Sequence, residues 1–430
     1  MEAAPDYRRR VLDDTLDIFM GSFSAVALQG AKAVGKTETA KQRAVSVFKL
    51  DEPGPLAIVR ADPERVLKAA PPVLIDEWQR HPPVWDAVRN ADDAGAAPGT
   101  YLLTGSADPR DAPAHTGAGR IVTLRLRPLS LAERLTDTPS VSLSKLLAGD
   151  QRSIDGETTF NLEGYTDEIL RGGLPGLRRY DGVALRTQLT SYLDLIVEKD
   201  FAQLGQQVRN PEALRRWMTA YAAASSTTAS FETIRRAATS NESEKPARKT
   251  VIPYRDALQR LFILDPVKAW RPTNNPLGEL GDAEKHQMVD PALAARLVRA
   301  TAGTLLDGQA SGPAIPRMGT QLGALFESLV TLSVRVYSTA AANAEPDVRH
   351  FRTHRGEREI DLIVEREDGR VLAIEVKLTA LPDDTDVQHL NWLSERIGGE
   401  LIDRVIVTTG KTAYRRPDGV AVVPAALLGP

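Results

Sequence analysis

The sequence predicts a mixed α/β protein made of several domains, and three observations carry that expectation. Its 430 residues exceed the roughly 150 of a typical domain, which favours about two to four folding units. Residues 1–135 alternate short β-branched or apolar runs with helical patterns, as a parallel sheet with helical crossovers does. Beyond a mostly helical middle, strand patterns return near Asp347–Arg352, Glu359–Glu365, Val371–Lys377 and Arg404–Thr408. Cysteine is absent, which excludes disulfides, thiolate zinc sites and cysteine nucleophiles and suits a reducing cytoplasm. No run approaches the ~18 apolar residues of a membrane span, and Met1–Arg10 is polar, so a cytoplasmic protein without a membrane segment is expected.

In the first region the expected strands are Ala25–Leu28, Leu56–Val59, Val73–Ile75, Tyr101–Thr104 and Ile121–Leu126. Residues 136–205 read as a helical connecting region, broken by Gly and Pro at Arg171–Gly176. Residues 206–270 read as a second helical unit, within a winged-helix-like domain over 206–300, Ala300–Pro316 as a linker, and 315–430 as a C-terminal α/β domain opened by a helix over Met318–Val336.

The chemistry begins directly after the first strand. Gly30, Ala31, Lys32, Ala33, Val34, Gly35, Lys36 and Thr37 spell G-x-x-x-x-G-K-T and, with Glu38, open a helix. A phosphate tail needs backbone N–H groups aimed at it, which the glycines permit, together with a lysine charge and a helix N-terminus. Lys36 is therefore assigned to the β- and γ-phosphates of ATP and Thr37 to Mg²⁺. Val73–Glu77 is an apolar strand ending in two carboxylates. Asp76 suits the magnesium shell, and Glu77 suits the base that orients or deprotonates the attacking water. Thr104 or Ser106, at the end of the strand LLTGS, is a candidate contact to the γ-phosphate or the water, or else simply caps the strand. Arg120 reads either as an arginine finger toward a neighbouring subunit of a homo-oligomer or as a surface arginine. The acidic pair argues against a small-molecule kinase. Gly410–Thr412 repeats the motif's tail, but Val405 stands where a first glycine would be required.

In their order, GAKAVGKT, VLIDEWQ, YLLTGS, GAGR and LRPLSLAE resemble the bacterial and archaeal AAA-type P-loop ATPases whose C-terminal domain has no assigned function. Glu168–Leu177, Tyr192–Asp200 and Met288–Ala295 resemble the partner domain of that family. The resemblance implies a P-loop NTPase fold, ATP and Mg²⁺; it leaves the biological task open.

The net charge of −3 hides a basic middle. Between Phe201 and Arg260 ten Lys/Arg face five acids. Phe231–Ala238 followed by Lys249–Arg260 resembles a winged helix whose second helix presents Lys249, Tyr254, Arg255 and Arg260 to a DNA groove. The alternative is a helical lid with a solvated basic face.

Glu327 on a helix, Asp361 on a strand, and Glu375 with Lys377 on the next strand resemble the PD-(D/E)xK nuclease fold. Phosphodiester hydrolysis there needs Mg²⁺ held by carboxylates, here Asp361 and Glu375, and a lysine that activates water. Glu375 and Lys377 share a strand face. Asp361 joins them only if residues 361 and 375 pair, which requires an odd loop, and the three-residue Glu367–Gly369 with Gly369 left-handed is expected. Ile360 departs from the nuclease pattern, which has proline before the aspartate, and the fold also occurs in proteins that have lost catalysis. His350 and His354 would lie about 13 Å apart on a strand, too far to share zinc. Two functions follow: an ATPase acting on DNA with a Mg²⁺-dependent nuclease-like domain, or a nucleotide-switched binding protein whose nuclease-like domain only recognises a partner.

Overall fold

A computed structural model describes residues 7–106, 119–135, 138–201, 210–239, 248–271, 283–317, 319–340, 346–353 and 356–430. The chain divides into two compact units: Met1–Pro128 with Leu174–Gly176 and Arg260–Phe262, and the remainder.

The first unit is built on a parallel sheet of β1 (Ala25–Gln29), β2 (Ser46–Lys49), β3 (Val73–Asp76), β4 (Tyr101–Gly105) and β5 (Ile121–Arg125), in the order β2-β3-β4-β1-β5. β1 and β4 are buried along their whole length, as central strands covered on both faces must be. One expected strand is corrected: Leu56–Val59 lies in the helix Pro53–Ala61, and β2 is Ser46–Lys49 instead. Pro53 at the first helical position favours helix entry, and Leu56 and Val59 face the core while Ile58 is exposed, a three-residue rather than a two-residue period. The core on this side includes Trp78 and Trp85, whose ring centroids lie 4.6 Å apart.

In the second unit, β6 (Val141–Ser142) pairs with the last strand, β13 (Leu428–Gly429). The helices Leu162–Arg171, Gly182–Leu195, Pro211–Ala223, Phe231–Ala237 and Arg248–Arg260 follow β6. Beyond them, Leu264 bridges Met288 and Val267 bridges Lys285, both antiparallel. The Ser226 N–H donates to the His286 carbonyl, and the His286 N–H donates to that of Thr227, each at 2.8 Å. Three helices are thus followed by a short ladder that also takes in the turn between the first two. The linker expected at Ala300–Pro316 contains a helical turn, Ala302–Leu306, capped by Thr301.

The C-terminal sheet comprises β7 (Asp347–Arg352), β8 (Glu359–Glu365), β9 (Val371–Val376), β10 (Leu401–Thr408), β11 (Tyr414–Arg415) and β12 (Ala421–Pro424), ordered β11-β12-β10-β9-β8-β7. β7, β8 and β9 form an antiparallel meander. β9, β10 and β12 are parallel, with the helix Asp384–Ile397 making the crossover from β9 to β10. The opening helix runs Gln321–Tyr337, capped by Thr320.

Candidate functional site

The loop after β1 has the backbone its glycines predict. Gly30, Ala33 and Gly35 have φ of 153°, 63° and 101°, and a side chain on Gly30 would collide with the Leu126 carbonyl oxygen at 2.1 Å. Lys36, buried at the start of the helix Lys36–Lys41, donates from Nζ to the carbonyls of Gly30 (2.9 Å) and Ala31 (2.8 Å). Burial pushes its pKa down to about 8, against the opposing pull of Glu77 and Asp76. A lysine this desolvated, with two carbonyls as its hydrogen-bond partners among the described residues, fits an anionic phosphate in the loop. Ala31 and Val34 are buried, Lys32 is half-buried, and Ala33 is exposed.

β4 lies between β1 and β3, so Thr104 stands opposite Leu28 on one side and Asp76 on the other. The Thr37 hydroxyl donates to Asp76 Oδ1 at 2.7 Å, and the Thr104 hydroxyl donates to the same oxygen. Thr37 and Asp76 thus present adjacent oxygens that fit a Mg²⁺ shell, and Thr104 supports Asp76. Glu77 sits in the left-handed region at φ 56°, a conformation that costs a non-glycine residue energy and recurs at functional sites. Gln79 Nε2 donates both to Glu77 and to Ser106 Oγ, the latter at 3.2 Å. Ser106 therefore reaches the acid through Gln79. Gly105 makes room for this: a Cβ there would meet Trp78 Nε1 at 2.6 Å and Gln79 Oε1 at 2.8 Å.

Two expected residues lie elsewhere. Glu38 is exposed and pairs with Lys41 at 2.7 Å. Arg120 precedes Ile121, which pairs with Ala25 at the start of β1. It therefore sits about 20 Å along the sheet from the phosphate loop, and its Nε pairs with Asp93 at 2.8 Å. The structure does not bring Arg120 to the nucleotide site of its own chain. Sequence reasoning missed Arg10, a buried residue that donates to the carbonyls of Val34 and Arg127, each at 2.8 Å, and so ties the phosphate loop to the segment after β5. Only its distance in sequence, 24 residues from Val34, concealed it.

The C-terminal carboxylates do come together. Pairing of Leu362 with Ile374 and of Glu365 with Val371, continued by one residue, sets Asp361 opposite Glu375. Arg366 and Arg370 close a three-residue loop, Glu367–Gly369, with Gly369 at φ 79°, as the alternation of faces requires.

The cluster's cations differ from expectation. Lys285 Nζ lies 3.0 Å from Glu327 Oε1, 2.9 Å from Glu359 Oε1 and 3.0 Å from Asp361 Oδ1. Asp361 Oδ2 accepts the Val376 N–H at 2.9 Å. Lys377 Nζ donates to Glu375 Oε1 at 2.7 Å, so its charge is spent on that neighbour rather than held for water. Glu375 Oε2 is buried without a hydrogen-bond partner among the described residues. Burial and then Asp361 push the Glu375 carboxyl up to about 8. Burial and the same neighbour raise Glu327 well above the usual carboxylate range. Burial would also raise Asp361, but Lys285 and Lys377 outweigh it and hold it low.

Among the described residues no group of three or more His, Asp or Glu is arranged to hold a metal ion. The Mg²⁺ expected at Asp361 and Glu375 does not fit these residues, because Lys285 and the Val376 N–H already use both Asp361 oxygens. His350 is buried with Nε2 3.1 Å from the Ala283 carbonyl oxygen; His354 lies outside the described residues.

Of the four residues expected to face DNA from the helix Arg248–Arg260, Tyr254 is placed otherwise. Tyr254 is buried edge-on against Phe201, while Arg255 pairs with Asp256 at 3.0 Å and lies over the Phe231 ring. Arg260 is half-buried, and the side chain of Lys249 lies outside the described residues. Among the described residues no helix is long and apolar enough to cross a membrane.

A phosphate loop after β1, a carboxylate pair after β3 and a hydroxyl-bearing strand between them define the first unit as a P-loop nucleotide-hydrolysing fold. Residues 22–135 match the family described as an AAA domain, which, with the phosphate loop in the same residues, supports ATP binding and hydrolysis by this part of the chain. Residues 162–304 and 322–428 match two families described as domains of unknown function, DUF8612 and DUF4143. Uncharacterized proteins of Mycobacterium bovis and Mycobacterium tuberculosis are each 28% identical over 411 residues, covering 93% of this chain and 80% of theirs. A Walker-type ATPase of Pyrococcus abyssi aligns in structure with a TM-score of 0.41 and 13% identity, covering 68% of this chain and 96% of that one.

Proposed function

We propose that the chain is an ATP-driven switch that acts on DNA, using Mg²⁺ at Thr37 and Asp76 and water activated by Glu77. The observation that carries the nucleotide half is the convergence of Thr37 and Thr104 on one oxygen of Asp76, with Glu77 as the next residue. When bound, Mg²⁺ would neutralise charge on the phosphates; Lys36 would hold the β- and γ-phosphates, and Glu77, steadied by Gln79, would orient the water. Lys36→Ala should abolish turnover.

Two features support DNA as the ligand. Three helices followed by a short antiparallel ladder is the order of a winged helix. In the C-terminal domain, Arg358 and Arg396 lie 5.8 and 5.5 Å from the Trp392 ring centroid, with no carboxylate partner for either among the described residues. Unpaired arginines around an aromatic ring suit phosphates and stacked bases. The test is an electrophoretic shift at low salt with duplex, single-stranded and branched DNA, with and without ATP. Binding should weaken in Trp392→Ala, and Arg358→Ala should reduce the salt slope by about one. No shift with any of the three DNAs overturns the reading.

A second reading keeps the switch but has the nuclease-like domain recognise a nucleic acid or protein partner without cutting it. It is favoured by one observation, the Lys285 ammonium among the carboxylates that would hold the metal. An arginine-finger role for Arg120 requires a second copy of the chain, and ATP-dependent dimerisation seen in sedimentation would test it.

A further inference from the structure

Three helices of the second unit, Leu162–Arg171, Gly182–Leu195 and Pro291–Leu297, leave a cavity of about 340 Å³ between them, at the lower end of the range for small-molecule sites. Its floor is apolar. Leu185 and Leu189, one turn apart, and Ala292 and Ala295 on the facing helix are all buried. Residues three and four apart share a helix face, so alanine at both 292 and 295 leaves room that longer side chains would fill. The mouth is cationic, because Arg186 follows Leu185 and Arg296 follows Ala295 in the lining. Arg296 donates from Nε to Thr190 Oγ1 at 2.7 Å, and neither arginine has a carboxylate partner among the described residues. The nearby acids are engaged: Asp194 pairs with Arg215, and Asp181 with Arg171. Asp167, the other acid of the lining, is exposed on the helix Leu162–Arg171. Burial, and then the charges of Arg186, Arg299 and Arg215, hold the Arg296 guanidinium below its ordinary value against the pull of Asp194. Like charges held this close carry a cost that a bound anion would remove.

We propose that this cavity binds a small organic anion, with its carboxylate or phosphate head on Arg186 and Arg296 and its apolar body against Leu185, Leu189 and the two alanines. A guanidinium presents paired N–H donors that match two oxygens of one oxyanion, and two guanidinium groups on different helices grip it from two sides. The apolar floor sets the site apart from a nucleic-acid track, where basic residues follow the backbone and aromatic rings take the bases. Among the described residues no aromatic ring lines this cavity. Its lining falls between residues 167 and 302, away in sequence from the phosphate loop and from the C-terminal carboxylates. The inference therefore rests on neither ATP turnover nor DNA binding.

The test is calorimetric titration of the full-length chain with naphthyl phosphate, with naphthoate and with the neutral naphthalenemethanol. At least one anion should bind, the alcohol should bind about tenfold or more weakly, and the tighter anion identifies the head. Arg186→Gln/Arg296→Gln should weaken that anion about tenfold or more, from loss of charge-assisted hydrogen bonds. Neither arginine holds a carboxylate, so this variant should fold. Ala295→Leu, or Ala302→Leu at the half-buried rim, fills the space without removing a charge and should weaken the anion as well. The proposal is overturned if neither anion binds, if the alcohol binds as tightly, or if both filled variants bind unchanged. It is also overturned if the double arginine variant binds as wild type does, which would assign the anion to the phosphate loop or elsewhere, or if duplex DNA displaces the anion, which would give these arginines to the nucleic acid. A chain that binds the anion and shifts no DNA would overturn the proposed function and leave this inference standing.

Discussion

The Thr37 hydroxyl donates to Asp76 Oδ1 at 2.7 Å, and this hydrogen bond joins the phosphate loop to the end of β3. Thr104 donates to the same oxygen from the strand between them. A hydrogen bond to a charged group contributes about 1.5–3 kcal/mol, so Thr104→Val should lower the steady-state ATPase rate tenfold or more while a fluorescent nucleotide still binds nearly as well. Turnover equal to wild type would reduce Thr104 to a strand cap. Asp76→Asn should bind nucleotide and fail to hydrolyse it.

Burial holds the Lys36 pKa at about 8, and a bound phosphate must raise it. Nucleotide binding at pH 8 and above therefore takes up a proton, and affinity falls as pH rises through that region. Calorimetric titration in buffers of different ionisation enthalpy should show this uptake. In Lys36→Arg the guanidinium stays charged, so the uptake at this site should vanish; an unchanged uptake would assign the proton to another group.

Arg10 bridges the carbonyls of Val34 and Arg127, and its own N–H donates to Asp13 Oδ2 at 2.6 Å. The phosphate loop is thereby held in its binding shape before nucleotide arrives. Arg10→Ala should weaken nucleotide binding about tenfold or more, from loss of at least one charge-assisted bond. Arg10→Lys should recover only part, since an ammonium lacks the fork that spans two carbonyls. Equal dissociation constants for wild type and Arg10→Ala would remove the loop-clamping role.

The sequence shows these residues unequally. Lys36, Thr37, Asp76 and Glu77 were legible because strand, loop and helix succeed one another locally and each signal is a few residues long. The Asp361 to Glu375 pairing was legible because a strand alternates faces, which excludes an even loop and leaves the three-residue one with Gly369 left-handed. Lys285 was not, since its partners Glu327 and Asp361 lie 42 and 76 residues away and no periodicity links them. Leu56–Val59 misled because a short apolar run has no period of its own, and Pro53 decided for the helix. Tyr254 misled because the basic residues beside it suggested an exposed face, whereas its ring is needed against Phe201.

Gly369, at φ 79°, closes the loop that sets Asp361 opposite Glu375. A side chain in the left-handed region costs roughly 1–2 kcal/mol, so Gly369→Val should destabilise the chain by about that amount in urea unfolding. Deleting Glu367 shifts the register if the three-residue loop is kept, with Arg366 as its first residue, and would then put Asp361 opposite Ile374, on the other face. Unfolding of the deletion variant should then resemble that of Asp361→Ala. A deletion variant as stable as wild type would mean that the register is set by the strands rather than by the loop.

The Glu375 carboxyl, pushed up to about 8 by burial and by Asp361, links folding to pH. An unfolded glutamate titrates near pH 4.3, so between that value and about 8 the folded chain binds more protons than the unfolded one. Stability from this group is greatest at low pH and is lost as pH rises toward and past 8. Glu375→Gln keeps an oxygen for the Lys377 ammonium and cannot ionise. Urea midpoints measured from pH 6 to 9 should therefore fall more steeply for the wild type than for Glu375→Gln, with the variant the more stable at pH 9. Parallel curves would show that Glu375 is already ionised at neutral pH, with Lys377 outweighing its burial.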